Sequence, residues 1–263
     1  MRVLKATTFC VLLAASASVL SGAAPDDQEI RHTLSRIGYG ARPGDVERVR
    51  AMGLDRYIES QLEPSKIPDE ALAARLADFE TLGLSSREMA ARFYTPPQQQ
   101  NPQPPQMRQR ANLPLLELSQ QKLLRAVYSE RQLEEVLVDF WFNHFNVFSG
   151  KGQFARFYLT EYEREAIRPH VLGRFRDMLG ATAKSPAMLW YLDNWMSAAT
   201  SNPGEYSRLR PGARRPTGNI QPGRMPRGLN ENYGRELLEL HTLGVDGGYT
   251  QKDVIDVARA FTG

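Results

Sequence analysis

Residues 230–244 read NENYGRELLELHTLG and place Arg235, Glu236, Glu239 and His241 within one short stretch. Two neighbouring carboxylates can act as general acid and base, a guanidinium can hold an anion, and a neutral imidazole can ligate a metal or relay a proton. At 100° per residue, Glu231, Asn232, Arg235, Glu236 and Glu239 share a polar arc. Tyr233, Leu237, Leu238 and Leu240 share the apolar arc, and His241 falls among them. The steps from Glu231 to Arg235 and from Arg235 to Glu239 are each four residues, so ion pairs alone account for much of the polar arc. His241 is the anomaly, because a buried imidazole calls for a specific partner.

A second cluster lies in SERQLEEVLVDFWFNHFNVF, residues 129–148. As one helix it places Glu135, Asp139, Asn143 and Asn146 in a narrow stripe and covers most of the remaining surface with Leu133, Leu137, Phe140, Trp141, Phe142 and Phe145. Such a helix is expected to be central. Its oxygen-rich stripe then needs other helices, water or a hard cation such as calcium, although no EF-hand loop is present. His144 projects on the apolar side beside Leu137 and Trp141, where a hydrogen-bonded core histidine is the default. His32 shares a polar helical face with Arg36, which an ordinary hydrogen bond explains. The chain has no G-x-S-x-G elbow, no H-E-x-x-H and no P-loop, and GYGARPG, residues 38–44, follows a helix and is read as a helix stop and turn.

The elements that must position these residues are helical. Ile30, Leu34 and Ile37 fall on one face before Gly38 and Gly40 stop the helix, Pro43 opens a short helix that Gly53 ends, and LDRYIESQL continues as another. Ser85 with Glu88, Ser129 with Gln132, and Thr250 with Asp253 have the capping-box spacing, and Ser185 before Pro186 marks a further helix start. No segment alternates with period two for long enough to form a sheet, so the expected fold is all-α, a bundle-like arrangement of short helix-turn-helix units. Two segments interrupt it. TPPQQQNPQPPQ, residues 95–106, holds five prolines and opens a linker expected to run to residue 112. Residues 201–228 are rich in Pro, Gly and Arg and are expected to form a flexible loop, able to hold an anionic envelope component or else simply solvated. These boundaries divide the chain into an N-terminal helical unit, 24–94, and a main helical body, 113–263.

Residues 1–23 have the form of a secretory signal peptide: Arg2 and Lys5, an apolar run from Ala6 to Leu20, then small residues, with cleavage expected near Ala23. The protein is therefore expected to be exported to the periplasm or beyond. Its one cysteine, Cys10, lies in this leader, which leaves no disulfide and no thiol chemistry for the remainder. The leader holds two bases and no acid, so the formal charge of +3 falls by two to +1. No nucleic-acid partner is expected. No later stretch approaches the roughly 18 apolar residues of a membrane span.

HTLSRIGYGARPGDVERVRAMGLDRYIESQL, VDFWFNHFNVFSGK and NENYGRELLELHTLGVDGGYTQKDVIDVARAFTG together resemble the bacterial domain of unknown function 1800 family, from about His32 to Gly263. The resemblance implies an exported, mainly helical protein without a defined activity, and a partner from the domain of unknown function 1501 family, whose genes often lie alongside. It also implies a tryptophan and a further helical region after ARAFTG, so the chain is expected to be the N-terminal part of a longer protein. The matching motifs carry over His32, His144 and His241. With Asp139 or Glu236 these would suit zinc, manganese or iron, and an acidic residue could then act as base for a bound water. The leading expectation is an exported binding or assembly component of the cell envelope. The alternative is a metal-dependent periplasmic hydrolase or oxidoreductase, with Glu236, Glu239 and Arg235 as catalytic candidates.

Overall fold

Four of the described helices are started by short polar side chains. Asp26 accepts the Glu29 backbone N–H at 2.7 Å and opens α1, Asp27–Arg36. Ser85 and Glu88 cap each other at the start of α5, Ser86–Phe93, and Thr250 and Asp253 do the same for α12, Gln251–Ala260. The computed structural model describes residues 26–94, 105–199 and 228–262. The leader, residues 95–104 and the arginine-rich stretch up to residue 227 lie outside the described residues. Among those described, regular structure is helical and strands are absent apart from one isolated bridge between Ser197 and Gly228, so the expected all-α class holds.

The N-terminal helices bury Ile30 and Leu34 of α1 against Val46 and Val49 of α2, Asp45–Met52, and Leu54 and Tyr57 of α3, Leu54–Gln61. Gly53, at φ 93°, ends one helix and begins the next without a loop, a conformation costly for any side chain. The GYGARPG turn then fastens this unit to the junction of α6, Pro105–Tyr128, and α7, Gln132–His144. Arg42 pairs with Asp45 at 3.1 Å and Glu130 at 2.9 Å, and the Tyr39 backbone N–H donates to Gln132 Oε1 at 3.1 Å. Gln61 also bridges the junction, donating to the Glu130 carbonyl at 3.0 Å and accepting from the Leu133 N–H at 3.2 Å.

The structure departs from the sequence reading at two places, and that docking explains the first. Ser129 and Gln132 form no capping box: Ser129 Oγ donates to Asp69 at 2.8 Å, and the buried Gln132 carboxamide is taken by Tyr39 and by the carbonyls of Ala126 and Ser129. Long-range partners outbid the local one. The second departure is that residues 105–112, assigned to the linker, are the first turns of α6.

In the main body, α7 packs with α8, Gln153–Glu161, α9, Phe175–Lys184, and α10, Pro186–Tyr191, around Phe145, Tyr162, Ile167, Met178 and Met188. The Tyr162 hydroxyl donates to the Phe145 carbonyl at 2.8 Å, which satisfies the one polar atom this ring buries. Helix α11, Asn232–Glu236, lies against α12 at Gly234. A Cβ there would stand 2.7 Å from the Val254 carbonyl oxygen and 3.1 Å from the Ala258 nitrogen.

Gly234→Ala tests that approach. Helix propensity alone would make the change favourable by about 1 kcal/mol. The contact reverses the sign, and urea denaturation is expected to show a net loss of roughly 1–3 kcal/mol.

Candidate functional site

Among the described residues the chain widens into a π-helix twice, at Tyr162–Ile167 and Leu237–Thr242, and each wide turn carries a buried polar side chain. Such insertions are common at functional sites because one extra residue re-aims the side chains that follow.

The second wide turn presents His241, 6% exposed, to the rings of Phe145, Tyr233 and His144 at centroid distances of 5.1, 6.3 and 6.4 Å. His144 Nε2 lies 3.3 Å from the His241 carbonyl oxygen, a geometry in which Nε2 carries the hydrogen and donates. The Nδ1 of His241 is buried without a hydrogen-bond partner among the described residues. Burial, and then the neighbouring His144, pushes the His241 pKa down to about 4. It is therefore neutral at pH 7.

Of the metal candidates, then, the structure brings His144 and His241 together. Asp139 instead pairs with Lys122 at 2.8 Å on an exposed face, and His32 is exposed on α1. Two imidazoles on one tetrahedral ion would bring their centroids to roughly 5 Å, since each centroid sits about 3.2 Å from the metal. The observed 6.4 Å is wider. No three His, Cys, Asp or Glu side chains converge as a metal-binding group among the described residues. Of the catalytic candidates, Arg235 turns to Glu231 at 3.4 Å and to Gln251 at 2.9 Å, and no ion pair joins it to Glu239 among the described residues. Burial, and then Glu239, raise the pKa of Glu236 above the ordinary carboxylate value.

The polar stripe on α7 resolves differently from expectation. Glu135 is buried, whereas Asp139, Asn143 and Asn146 are exposed, and Phe140, expected in the core, is 57% exposed. Glu135 finds cations instead of calcium. Arg168 donates to both of its carboxylate oxygens, at 2.8 and 3.0 Å, and Arg125 adds a third bond at 3.1 Å. Arg168 also donates to Glu163 at 2.8 Å, and Gln121 links Glu163 to Arg125 through bonds of 3.3 Å on either side. Burial works against the Arg168 charge, but the carboxylates of Glu135 and Glu163 outweigh it and raise its pKa above that of free arginine. This centre separates two cavities. One, about 300 Å³, is lined by Gln121, Arg125, Thr160, Glu163, Arg164 and Arg168 together with aliphatic residues of α4, Glu70–Leu76, and the turn after it. The other, about 150 Å³, is lined by Tyr39, Lys122, Glu135, Asp139, Glu163 and Arg168. Burial, then Asp139 and Glu135, push the Tyr39 phenol up to about 12.

A family model described as "Protein of unknown function (DUF1800)" matches residues 32–263. The chain belongs to this family. No curated protein and no solved structure matches it. Within the DUF1800 match, Glu163 and Arg168 are the functional candidates that sequence reasoning missed. Their five-residue separation puts them about 140° apart on an α-helix, which hides the pair. The available signal was an acid set among Leu159, Tyr162, Ala166 and Ile167, which all bury, followed at i+5 by an arginine. Only the π-helix turns that spacing into a contact.

Two measurements check this site. Arg168→Met leaves two carboxylates buried with too few partners and is expected to cost about 3–5 kcal/mol in urea denaturation, whereas Asp139→Ala, at an exposed pair, should stay within about 0.5 kcal/mol. His241 supplies the second. Between about pH 6.5 and pH 4 the unfolded chain binds a proton that the folded chain refuses, so stability is complete above this window and is lost as pH falls through it, by up to about 3 kcal/mol. Subtracting the pH–stability curve of His241→Phe from that of the parent isolates this slope; a flat difference across the window contradicts a buried, neutral His241.

Proposed function

We propose that this chain is an exported binding and assembly component of the cell envelope, and that it docks a protein through the apolar face surrounding His144 and His241. The observation that carries this reading is the exposure of large side chains on that face. Phe140, 57% exposed, lies 6.3 Å from the His144 ring, and Phe175, 43% exposed, lies 5.7 Å from Trp141 and 6.2 Å from Phe145. Leu240, beside His241 in the chain, is 58% exposed. Clustered apolar exposure marks interaction surfaces, and aromatic residues are enriched at the cores of interfaces. A neutral His241 adds no charge that docking would have to desolvate.

Family membership points to a protein of the domain of unknown function 1501 family as the proposed occupant. The arginine-rich segment, outside the described residues, is proposed as a second contact, for an anionic envelope component. The wide spacing of the two imidazoles weighs against the metal-dependent alternative. In the described residues, no helix is long and apolar enough to cross a membrane.

Titrating the full chain with a protein of that partner family, by calorimetry, tests the reading. Phe140→Asp and Leu240→Asp are expected to weaken binding by at least about tenfold, or about 1.4 kcal/mol, with helical circular dichroism unchanged. Parent-like affinity in both folded variants would remove this face from the interface.

A further inference from the structure

We infer that the row of rings formed by Tyr94, Phe154, Trp190 and Trp195 is a seat for a proline-rich segment, and that its occupant is the chain's own residues 95–104. Four elements contribute to the row. Tyr94 follows α5, Phe154 comes from α8, Trp190 from α10, and Trp195 from the 3-10 turn Asn194–Met196. Tyr94 stacks on Phe154 at 5.3 Å, Phe154 meets Trp190 edge to face at 5.4 Å, and Trp190 stacks on Trp195 at 5.2 Å with 13° between the planes. The two inner rings are partly buried, whereas the outer ones are open to solvent, Tyr94 41% and Trp195 45% exposed. Each outer ring has one face against its inner neighbour, so its exposed area lies on the other face and the edge. Clustered open aromatics mark recognition surfaces. Proline-rich segments dock on such rings at little cost in chain entropy, because the polyproline II helix is formed before they bind.

Where the segment begins and ends selects it as the occupant. Thr95 is bonded to Tyr94, at one end of the row. Pro105 opens α6, in which Asn112 accepts from Arg156 of α8 and Leu113 packs on the same Met89, Phe93 and Phe157 cluster as Phe154. Both ends of the segment are thus tied to elements that carry the row. Three ring-to-ring steps join Tyr94 to Trp195, so the row is at most about 16 Å long. A polyproline II helix rises about 3.1 Å per residue, and ten residues suffice to reach the far ring and return. Charge agrees with length. Residues 95–104 are four prolines, four glutamines, Thr95 and Asn101, without a charged side chain. The rings are uncharged as well, and Asp193, two residues before Trp195, is held by Lys151 at 2.7 Å. The arginine-rich stretch after residue 200 fits less well, because its six arginines call for carboxylates that the row does not contain.

Acrylamide quenching of tryptophan emission in the full chain tests this assignment. A variant with Pro96→Ser, Pro97→Ser, Pro102→Ser and Pro104→Ser keeps the length of the segment and alters none of the described helices. Its emission is expected to shift to the red and to quench more steeply than the parent's, with helical circular dichroism unchanged. Adding Trp195→Phe to both chains is expected to remove most of that difference. A synthetic peptide of residues 95–106, added to the serine variant, is expected to restore the parent's quenching, and Trp195→Ala to weaken its binding by about tenfold or more. Equal quenching in the parent and the serine variant overturns the assignment, as does a peptide that leaves the quenching unchanged. Shielding that is lost only when the arginine-rich stretch is removed assigns the row to that stretch, and shielding that fades on dilution assigns it to a second copy; either result overturns the proposal. The docking proposal is tested separately, since none of these four rings belongs to the face around His144 and His241.

Discussion

A guanidinium buried between two carboxylates is tolerable only while every partner keeps its place, and Arg168 sets that condition for the main body of this protein. Glu135 comes from α7, Glu163 from the first π-helical turn, and Arg125 and Gln121 from α6, so three elements must adopt one register before the charges are satisfied. Hydrophobic burial would accept small slides of these helices. The bidentate pair does not, because a displacement of one residue strands a carboxylate in the interior. The cavities on either side follow from the same centre, since long charged side chains that meet at fixed distances cannot also fill the space around them.

The two wide turns belong to the same economy of buried polarity. Each adds one residue to a helical turn, and each uses it to carry a polar group inward: Glu163 toward Arg168, and His241 toward Phe145 and His144. The outcomes differ in chemistry. At Glu163 the group stays charged and is paired, whereas at His241 burial removes the charge, and the surface outside it is free to be apolar. One molecule thus holds a charged, cavity-bearing centre on one side and an uncharged aromatic face on another.

Local signals carried much of the fold. The capping boxes at Ser85 and Thr250, the Ser185 cap before Pro186 and the stop at Gly53 depend on residues within a few positions of one another, and each is where the sequence places it. Ser129 and Gln132 failed as a box because Asp69 and Tyr39, distant in the chain, hold their side chains. The candidate site was less legible for a related reason. Periodicity at 100° per residue grouped Glu135 with Asp139 and hid Glu163 from Arg168, and it cannot register a turn of different pitch. The sequence put His144 and His241 each on the apolar side of its own helix; the 6.4 Å between their rings and the absence of a converging carboxylate among the described residues are properties of tertiary packing.

The central claim is that Glu135 and Arg168 act as one buried unit, and a double-mutant cycle of Glu135→Gln and Arg168→Met in urea denaturation measures it most directly. A buried, bidentate pair predicts strong coupling, with the double variant less destabilised than the sum of the singles by about 2 kcal/mol or more. Additivity within about 0.5 kcal/mol would contradict it, and would reduce the network to side chains that happen to lie close.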